Sequence, residues 1–158
     1  MDIQLTDISR KDVEGLIAIY SQPDLYHSRE EASWFVKSFF DYHHIKLAKH
    51  GRSVIGALFW NVVEEEHHGL TEIRDFWIDE GFRRRGLGEQ LLRLAIEDMK
   101  RFFVEHGFAL RKVMVTTGED NVPSRKLIEK VGFQQYATLP DLFARGETEL
   151  IYVVTLNP

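Results

Sequence analysis

The chain has no cysteine and only four prolines among its 158 residues. Without thiols it can form no disulfide, no thiolate metal site and no cysteine nucleophile. That composition suits a reducing compartment. No run of about 20 apolar residues exists, the length a membrane-spanning helix needs. The opening MDIQLTDISRKD holds no apolar core of the kind a secretory signal carries. A cytoplasmic location, with no membrane partner, is therefore expected. An excess of positive charge is also missing, since the formal net charge is −5. This argues against a general nucleic-acid binder. Metal-ligand spacings are absent too. His43-His44 and His67-His68 are adjacent pairs, and neighbours in a strand point to opposite faces. They read as solvated loop histidines, and no metal site is expected.

What is present is an ordinary globular composition, 44% hydrophobic and 28% charged. No repeat, low-complexity tract or linker divides it, so residues 1–158 read as one domain. Ile3–Ile8 alternates apolar and polar like a half-buried strand. Val13, Leu16, Ile17 and Tyr20 then recur at helical spacing. Ser28 and Glu31 form a capping box for a second helix carrying Ala32, Phe35, Val36, Phe39 and Phe40. Ile45–Lys49 is a strand, and a longer one covers Arg52–Glu65. Strict alternation there puts Val54, Leu58, Trp60 and Val62 on one face and Ile55, Ala57, Phe59 and Val63 on the other. A strand apolar on both faces belongs in a sheet covered on both sides.

The most informative stretch runs from Thr71 to Arg101. It reads as a strand over Glu72–Ile78, a turn over Asp79–Arg85, and a long helix opening at Gly86-Leu87-Gly88. Glycine lets a backbone turn tightly and approach a ligand closely. The first amides of a helix lack intrahelical partners and carry about half a positive charge. With Arg83, Arg84 and Arg85 beside them, these groups make a site for a phosphate or pyrophosphate. A dinucleotide fold would want a third glycine in a G-x-G-x-x-G run, and a Walker loop a G-x-x-x-x-G-K-S/T run. Neither is present. Beyond the helix come a strand over 111–117, a short helix from Asn121 or Val122, and strands over 134–138 and 149–156.

Arg83-Arg84-Arg85-Gly86-Leu87-Gly88 resembles the R/Q-x-x-G-x-G/A signature of the GCN5-related N-acetyltransferases, the GNAT superfamily. The segment from Asn121 to Gly132-Phe133 is similar to that family's later N-x-x-S/A-x-x-L-Y-x-K-x-G-F segment. The resemblance covers nearly the whole chain. It implies an α/β fold with a mixed central sheet of about seven strands and helices on both faces. It also implies an enzyme that moves the acetyl group of acetyl-CoA to a primary amine, on a small molecule or a peptide, by direct attack in a ternary complex. The other reading is a CoA-binding sensor with little transferase activity. Homodimers are frequent in the family.

The resemblance also assigns roles. The backbone of Trp77 and Ile78 would pair with the pantetheine arm of CoA, and the backbone of Arg84–Gly88, Leu87 included, would hold the pyrophosphate. Asn121 would touch the pantetheine, with a helix cap as its alternative role, and Arg125 would reach a CoA phosphate. Glu72 stands 11 residues before Arg83, where histone-acetylating members have their catalytic glutamate. Asp75 is a second candidate base, expected from alternation to face the other side of the strand. A salt bridge with Arg74 is the plainer role for both. The tyrosine that protonates the leaving thiolate in the family is Ile128 here. Either Tyr136 or Tyr152 replaces it, or the thiolate leaves without a dedicated acid. The first two helices lie over the acceptor site in similar proteins, which brings Tyr26, Trp34 and Phe35 toward it, although the aromatic run from Trp34 to Tyr42 reads first as a core stripe.

Overall fold

A computed structural model describes residues 3–22, 25 and 28–156. Tyr26 lies outside them. In chain order the elements are β1 (Ile3–Asp7), α1 (Val13–Tyr20), α2 (Arg29–Tyr42), β2 (His44–His50), β3 (Ser53–Val62), β4 (Leu70–Ile78), α3 (Leu87–Glu105), β5 (Lys112–Gly118), α4 (Val122–Val131), β6 (Gln134–Pro140) and β7 (Thr148–Thr155). The seven strands form one sheet in the order β1-β2-β3-β4-β5-β7-β6. All neighbours run antiparallel except β4 and β5, which are parallel.

Two layers of helix cover this sheet. On one face, Leu16, Ile17 and Tyr20 of α1 and Ala32, Val36 and Phe39 of α2 pack on Leu47, Ala57 and Phe59. On the other, α3 buries Leu87, Leu91, Leu92, Ala95, Ile96, Met99 and Phe103 against Leu58, Trp60, Ile73, Val113 and Val115. Their spacing is the apolar stripe of an amphipathic helix. Each such side chain contributes about 1.5–3 kcal/mol by leaving water. Ser28 caps α2 through a 3.1 Å bond from the Glu31 amide, as its sequence position predicts. The aromatic run of α2 divides. Phe35 packs tilted and Phe39 edge-on against Phe59, whereas Trp34 is 74% exposed.

Two extra residues break the simple alternation of the strands. On β3 the register slips between Ala48 and Lys49 of its partner, so that Ala48 faces Gly56 and Lys49 faces Val54. Ile55 is the bulged residue. It therefore packs with Leu58 and Trp60 on the α3 side, while Val54 joins Ala57 and Phe59 under α1 and α2. That reverses the sides expected for Val54 and Ile55. On β4 the slip falls between Asp75, opposite Phe59, and Ile73, opposite Trp60, leaving Arg74 unpaired. A bulge of this kind bends its strand and re-aims the side chains beyond it.

The histidine pairs also differ from expectation. His44 begins β2 and stacks on Trp60 at 3.8 Å, with Phe102 edge-on at 4.9 Å. An indole face and a closing sheet drew it inward, where loop composition had suggested solvent. His67 and His68 do lie in an exposed turn beside Glu65 and Glu64.

Candidate functional site

β4 and β5 pair only over Leu70–Ile73 and Lys112–Val115. Beyond that point each strand continues, β4 against β3 and β5 against β7, with no ladder between them. The two strands part like a V whose floor is the Ile73–Val115 pair. Open strand edges carry unpaired amides and carbonyls, which can accept an extended chain. Both strands end at the same side of the sheet, and each runs into the N-terminus of a helix, α3 or α4. Crevices at the carboxyl ends of parallel strands are where open α/β sheets hold ligands.

The turn above this opening has a special backbone. Arg84 has φ +58° and Gly86 φ +77°, so left-handed residues alternate with ordinary ones. Such alternation makes a concave nest of amides suited to an anion. The first α-helical bond of α3 runs from the Gln90 amide to the Gly86 carbonyl at 3.1 Å. The amides of Leu87, Gly88 and Glu89 precede it and belong to the open helix end. The two glycines have different reasons to be there. A methyl group on Gly86 would make only an ordinary contact with Gln90 Nε2 at 3.9 Å, so the positive φ is what requires glycine. One on Gly88 would stand 3.1 Å from Leu127 Cδ2 and 3.5 Å from the Phe76 ring, so Gly88 serves the packing of α3 on α4 and β4.

The three arginines diverge. Arg83 folds back, its Nε donating to the Ile78 carbonyl at 2.9 Å, and so ties the turn to the end of β4. Arg84 makes no ion pair among the described residues and is exposed. Arg85 lies over the Phe82 ring at 5.8 Å. Asn121 caps α4, its Oδ1 accepting the Ser124 amide at 3.2 Å. Arg125 is also engaged locally, donating to the Glu119 carbonyl at 2.9 Å and the Tyr152 hydroxyl at 3.3 Å.

The bulge at Arg74 corrects the expected separation of the two carboxylates. Glu72 pairs with Asn61 and Asp75 with Phe59, and these two β3 residues are two apart on one face. Glu72 and Asp75 therefore share the face covered by α1 and α2, beside the V. Glu72 accepts both of its bonds from Arg74 Nη1 at 3.1 Å, the salt bridge that the sequence raises as its plainer role. Asp75 is the more perturbed group. Burial pushes its carboxyl above the usual carboxylate range, opposed by the nearby Tyr20 hydroxyl and by the Phe76 amide, which donates to Oδ1 at 2.8 Å.

The structure does not bring Tyr136 to this place. It stands at a register slip in the edge strand β6, is 59% exposed, and faces Lys112 Nζ at 5.5 Å. Lys112 begins β5, at the end opposite the V. Tyr152 is buried, and its hydroxyl donates to Glu129 Oε1 at 2.7 Å. Ile128 is buried in the core.

Two residues at the site escape a sequence reading. Tyr20 is one more apolar position in α1 until the fold sets its hydroxyl against Asp75. Glu149 lies opposite Gly118, at the tip of β5. Its only sequence signal is a carboxylate heading the apolar run Leu150–Val154.

Comparison with known proteins agrees with this geometry. Residues 8–133 match the model of the acetyltransferase (GNAT) family. An N-acetyltransferase from Staphylococcus aureus Mu50 superposes with a TM-score of 0.79 at 19% identity, over 99% of this chain and 100% of that one. Ribosomal-protein-alanine N-acetyltransferase from Brucella melitensis gives 0.76 at 18%, over 97% and 99%. The Salmonella typhimurium protein yncA, solved with its cofactor acetyl-CoA, gives 0.78 at 15%, over 100% and 96%. No curated protein sequence matches. The parted strands, the left-handed turn before α3 and the family match over residues 8–133 place the chain in the GNAT acetyltransferase family.

Proposed function

We propose that the protein is an acetyl-CoA-dependent N-acetyltransferase that acts on a primary amine, with both substrates bound together. The observation that carries this reading is the parting of β4 from β5 beyond Ile73–Val115, directly beneath the Arg83–Gly88 turn. The pantetheine arm of CoA is an extended, amide-bearing chain and can pair with a free strand edge. The backbone of Trp77 and Ile78 offers that edge, although the Ile78 carbonyl already accepts from Arg83. The amides of 84–88 and the start of α3 hold the pyrophosphate, with charge from Arg84 and Arg85. Asn121 and Arg125 order the far lip of the opening. When bound, acetyl-CoA supplies the thioester carbonyl carbon that the amine nitrogen attacks as the carbon–sulfur bond breaks.

The amine arrives as an ammonium and must lose a proton first. Asp75 takes it, directly or through a water. Its raised pKa brings it nearer the working pH than an ordinary carboxylate. Glu72, held by Arg74, adds negative charge that attracts the ammonium. The thiolate leaves without a protein acid. Ile128 has no proton to give, the Tyr152 hydroxyl is engaged in its hydrogen bond to Glu129, and Tyr136 is at the far end of β5. A thiol of ordinary pKa, about 8.5, tolerates this.

Calorimetric titration with acetyl-CoA, CoA and NAD tests the reading. Saturable binding of the two CoA species alone is expected, followed by thiol release when a primary amine is added. Absence of CoA binding would overturn it, and binding without thiol release across a broad amine screen would favour a CoA-binding sensor instead.

A further inference from the structure

Rows of paired residues run across the sheet, and residues paired in a ladder point to the same side. One row reads Asn61–Glu72–Met114–Val153–Gln134, from β3 through β4, β5 and β7 to β6, each step a ladder pair. The next row toward the V continues as Thr116–Ile151–Ala137 over the outer three strands. Val113, Val115, Leu150 and Tyr152 alternate with these residues and pack on the α3 side. Both rows therefore lie on the opposite face, the one that carries Glu72 and Asp75. On that face the helices stop short. The cluster beneath α1 and α2 reaches Leu47, Ala57, Phe59 and Trp77, and among the described residues it takes in none of β5, β6 or β7. Met114, Ile151 and Val153 belong to neither core cluster and are half-buried.

A sheet face that only meets water carries polar residues at alternate positions, and Met114, Ile151 and Val153 break that rule. The hairpin between β6 and β7, at the V end of these strands, adds two exposed apolar side chains, Leu142 and Phe143. Open apolar surface beside a few polar groups that fix an orientation is the make-up of a small-molecule site. Here the polar groups are Glu72, in one row with Met114 and Val153, and Asp75 on the same face. The last row, Gly118–Glu149–Leu139, brings in a carboxylate and ends the apolar stretch. We infer that the open face of β5 and β7 is the floor for the body of the acceptor, so that the substrate is a primary amine carrying an apolar chain or ring. Its ammonium meets Glu72 and Asp75, and its hydrocarbon lies over Met114, Val153 and Ile151. Along the first row every strand is hydrogen-bonded to the next. Two spacings of about 4.8 Å therefore carry the floor about 10 Å from Glu72 to Val153. A six-carbon chain covers most of that span. The inference rests on the acetyltransferase reading and narrows its substrate.

The test uses the full chain, saturating acetyl-CoA, and two acceptors of equal chain length, hexylamine and 2-(2-aminoethoxy)ethanol. The wild type should show a kcat/KM for hexylamine about tenfold or more above that for the ether alcohol. The double variant Ile151→Thr, Val153→Thr keeps β-branched side chains and puts two hydroxyls into the floor. It should lower the hexylamine value about tenfold, mainly through KM, and leave the ether alcohol almost unchanged. Val154→Thr, on the α3 side of the same strand, should lower the melting temperature and keep the ratio between the two amines. Equal use of the two amines by the wild type, or equal loss on both in the double variant, would overturn the floor while leaving the acetyltransferase intact. So would a dimer, seen by light scattering, that the double variant dissociates, because a second copy would then cover the face. Failure to bind acetyl-CoA would overturn the acetyltransferase reading itself. Should neither amine be acetylated, calorimetric titration of hexylamine into the CoA complex decides the matter. Weakened binding in the double variant upholds the floor, and no binding by the wild type removes it.

Discussion

The Tyr20 hydroxyl of α1 lies beside the Asp75 carboxyl of β4, bringing the first helix against the strand that borders the V. That hydroxyl favours the charged carboxylate and works against the burial that disfavours it. Tyr20→Phe removes that support. The Asp75 pKa then rises further, and the acidic limb of the kcat/KM profile moves to higher pH. The basal rate at a pH well above the limb changes little. A limb that stays in place in Tyr20→Phe would detach Asp75 from the rate.

Asp75→Asn removes the proposed base outright. A loss of about 10²–10⁴-fold in kcat is expected, with acetyl-CoA affinity kept. Glu72→Gln should cost less and act mainly on the KM for the amine. Thiol-release kinetics at saturating acetyl-CoA separate the two. The reverse ranking would move the base to Glu72.

Gly86→Ala meets only Gln90 Nε2 at an unstrained 3.9 Å, so its cost is the left-handed φ, about 1–2 kcal/mol. If the turn relaxes to avoid that cost, its amides rotate and acetyl-CoA binding weakens. Gly86→Asp adds a carboxylate against the pyrophosphate and should weaken binding by a further tenfold or more. Calorimetry reads both variants. Unchanged affinity in Gly86→Asp would remove the turn from the cofactor site.

His44 is held well below the ordinary imidazole value, at about 4, by burial first and by His43 second. Asp7 and Asp98 pull the other way, and His106 adds to the lowering. The unfolded chain binds a proton at His44 near pH 6.5, whereas the folded chain refuses it until about 4. Stability is therefore full above 6.5 and falls as pH drops through that window. After solvent screening the loss is on the order of 1–2 kcal/mol. His44→Phe keeps a ring on Trp60 and should flatten this part of the denaturation-midpoint curve. An equal slope in the variant would place the proton elsewhere.

Most of the fold is legible because it rests on local rules. The spacing of Leu87, Leu91, Leu92, Ala95 and Met99 is enough to draw α3 and its buried face. Ser28 shows where α2 begins. Gly86 and Gly88 mark the tight turn into α3 from residue types alone. What stayed hidden depends on pairing between distant segments. Nothing in TEIRDFWI says that Arg74 is unpaired. The slip exists only against β3, so the shared face of Glu72 and Asp75 could not be read in advance. Glu149 and Gly118 are 31 positions apart and meet only when β7 pairs with β5. Tyr136 shows the converse, a chemically suitable residue that the topology carries away from the opening.

The bulge at Arg74 works as a change of phase. Strand β4 enters the sheet with its even positions turned toward α1 and α2, and leaves it with its odd positions turned that way. Deleting that single residue would restore the beat and roll the outer half of the strand over. Phe76 and Ile78 would then look toward α1 and α2 while Asp75 and Trp77 turned toward the α3 core. Which carboxylate stands on the face under α1 and α2 is thus set by one out-of-step residue, and the identity of its side chain matters less than its being counted.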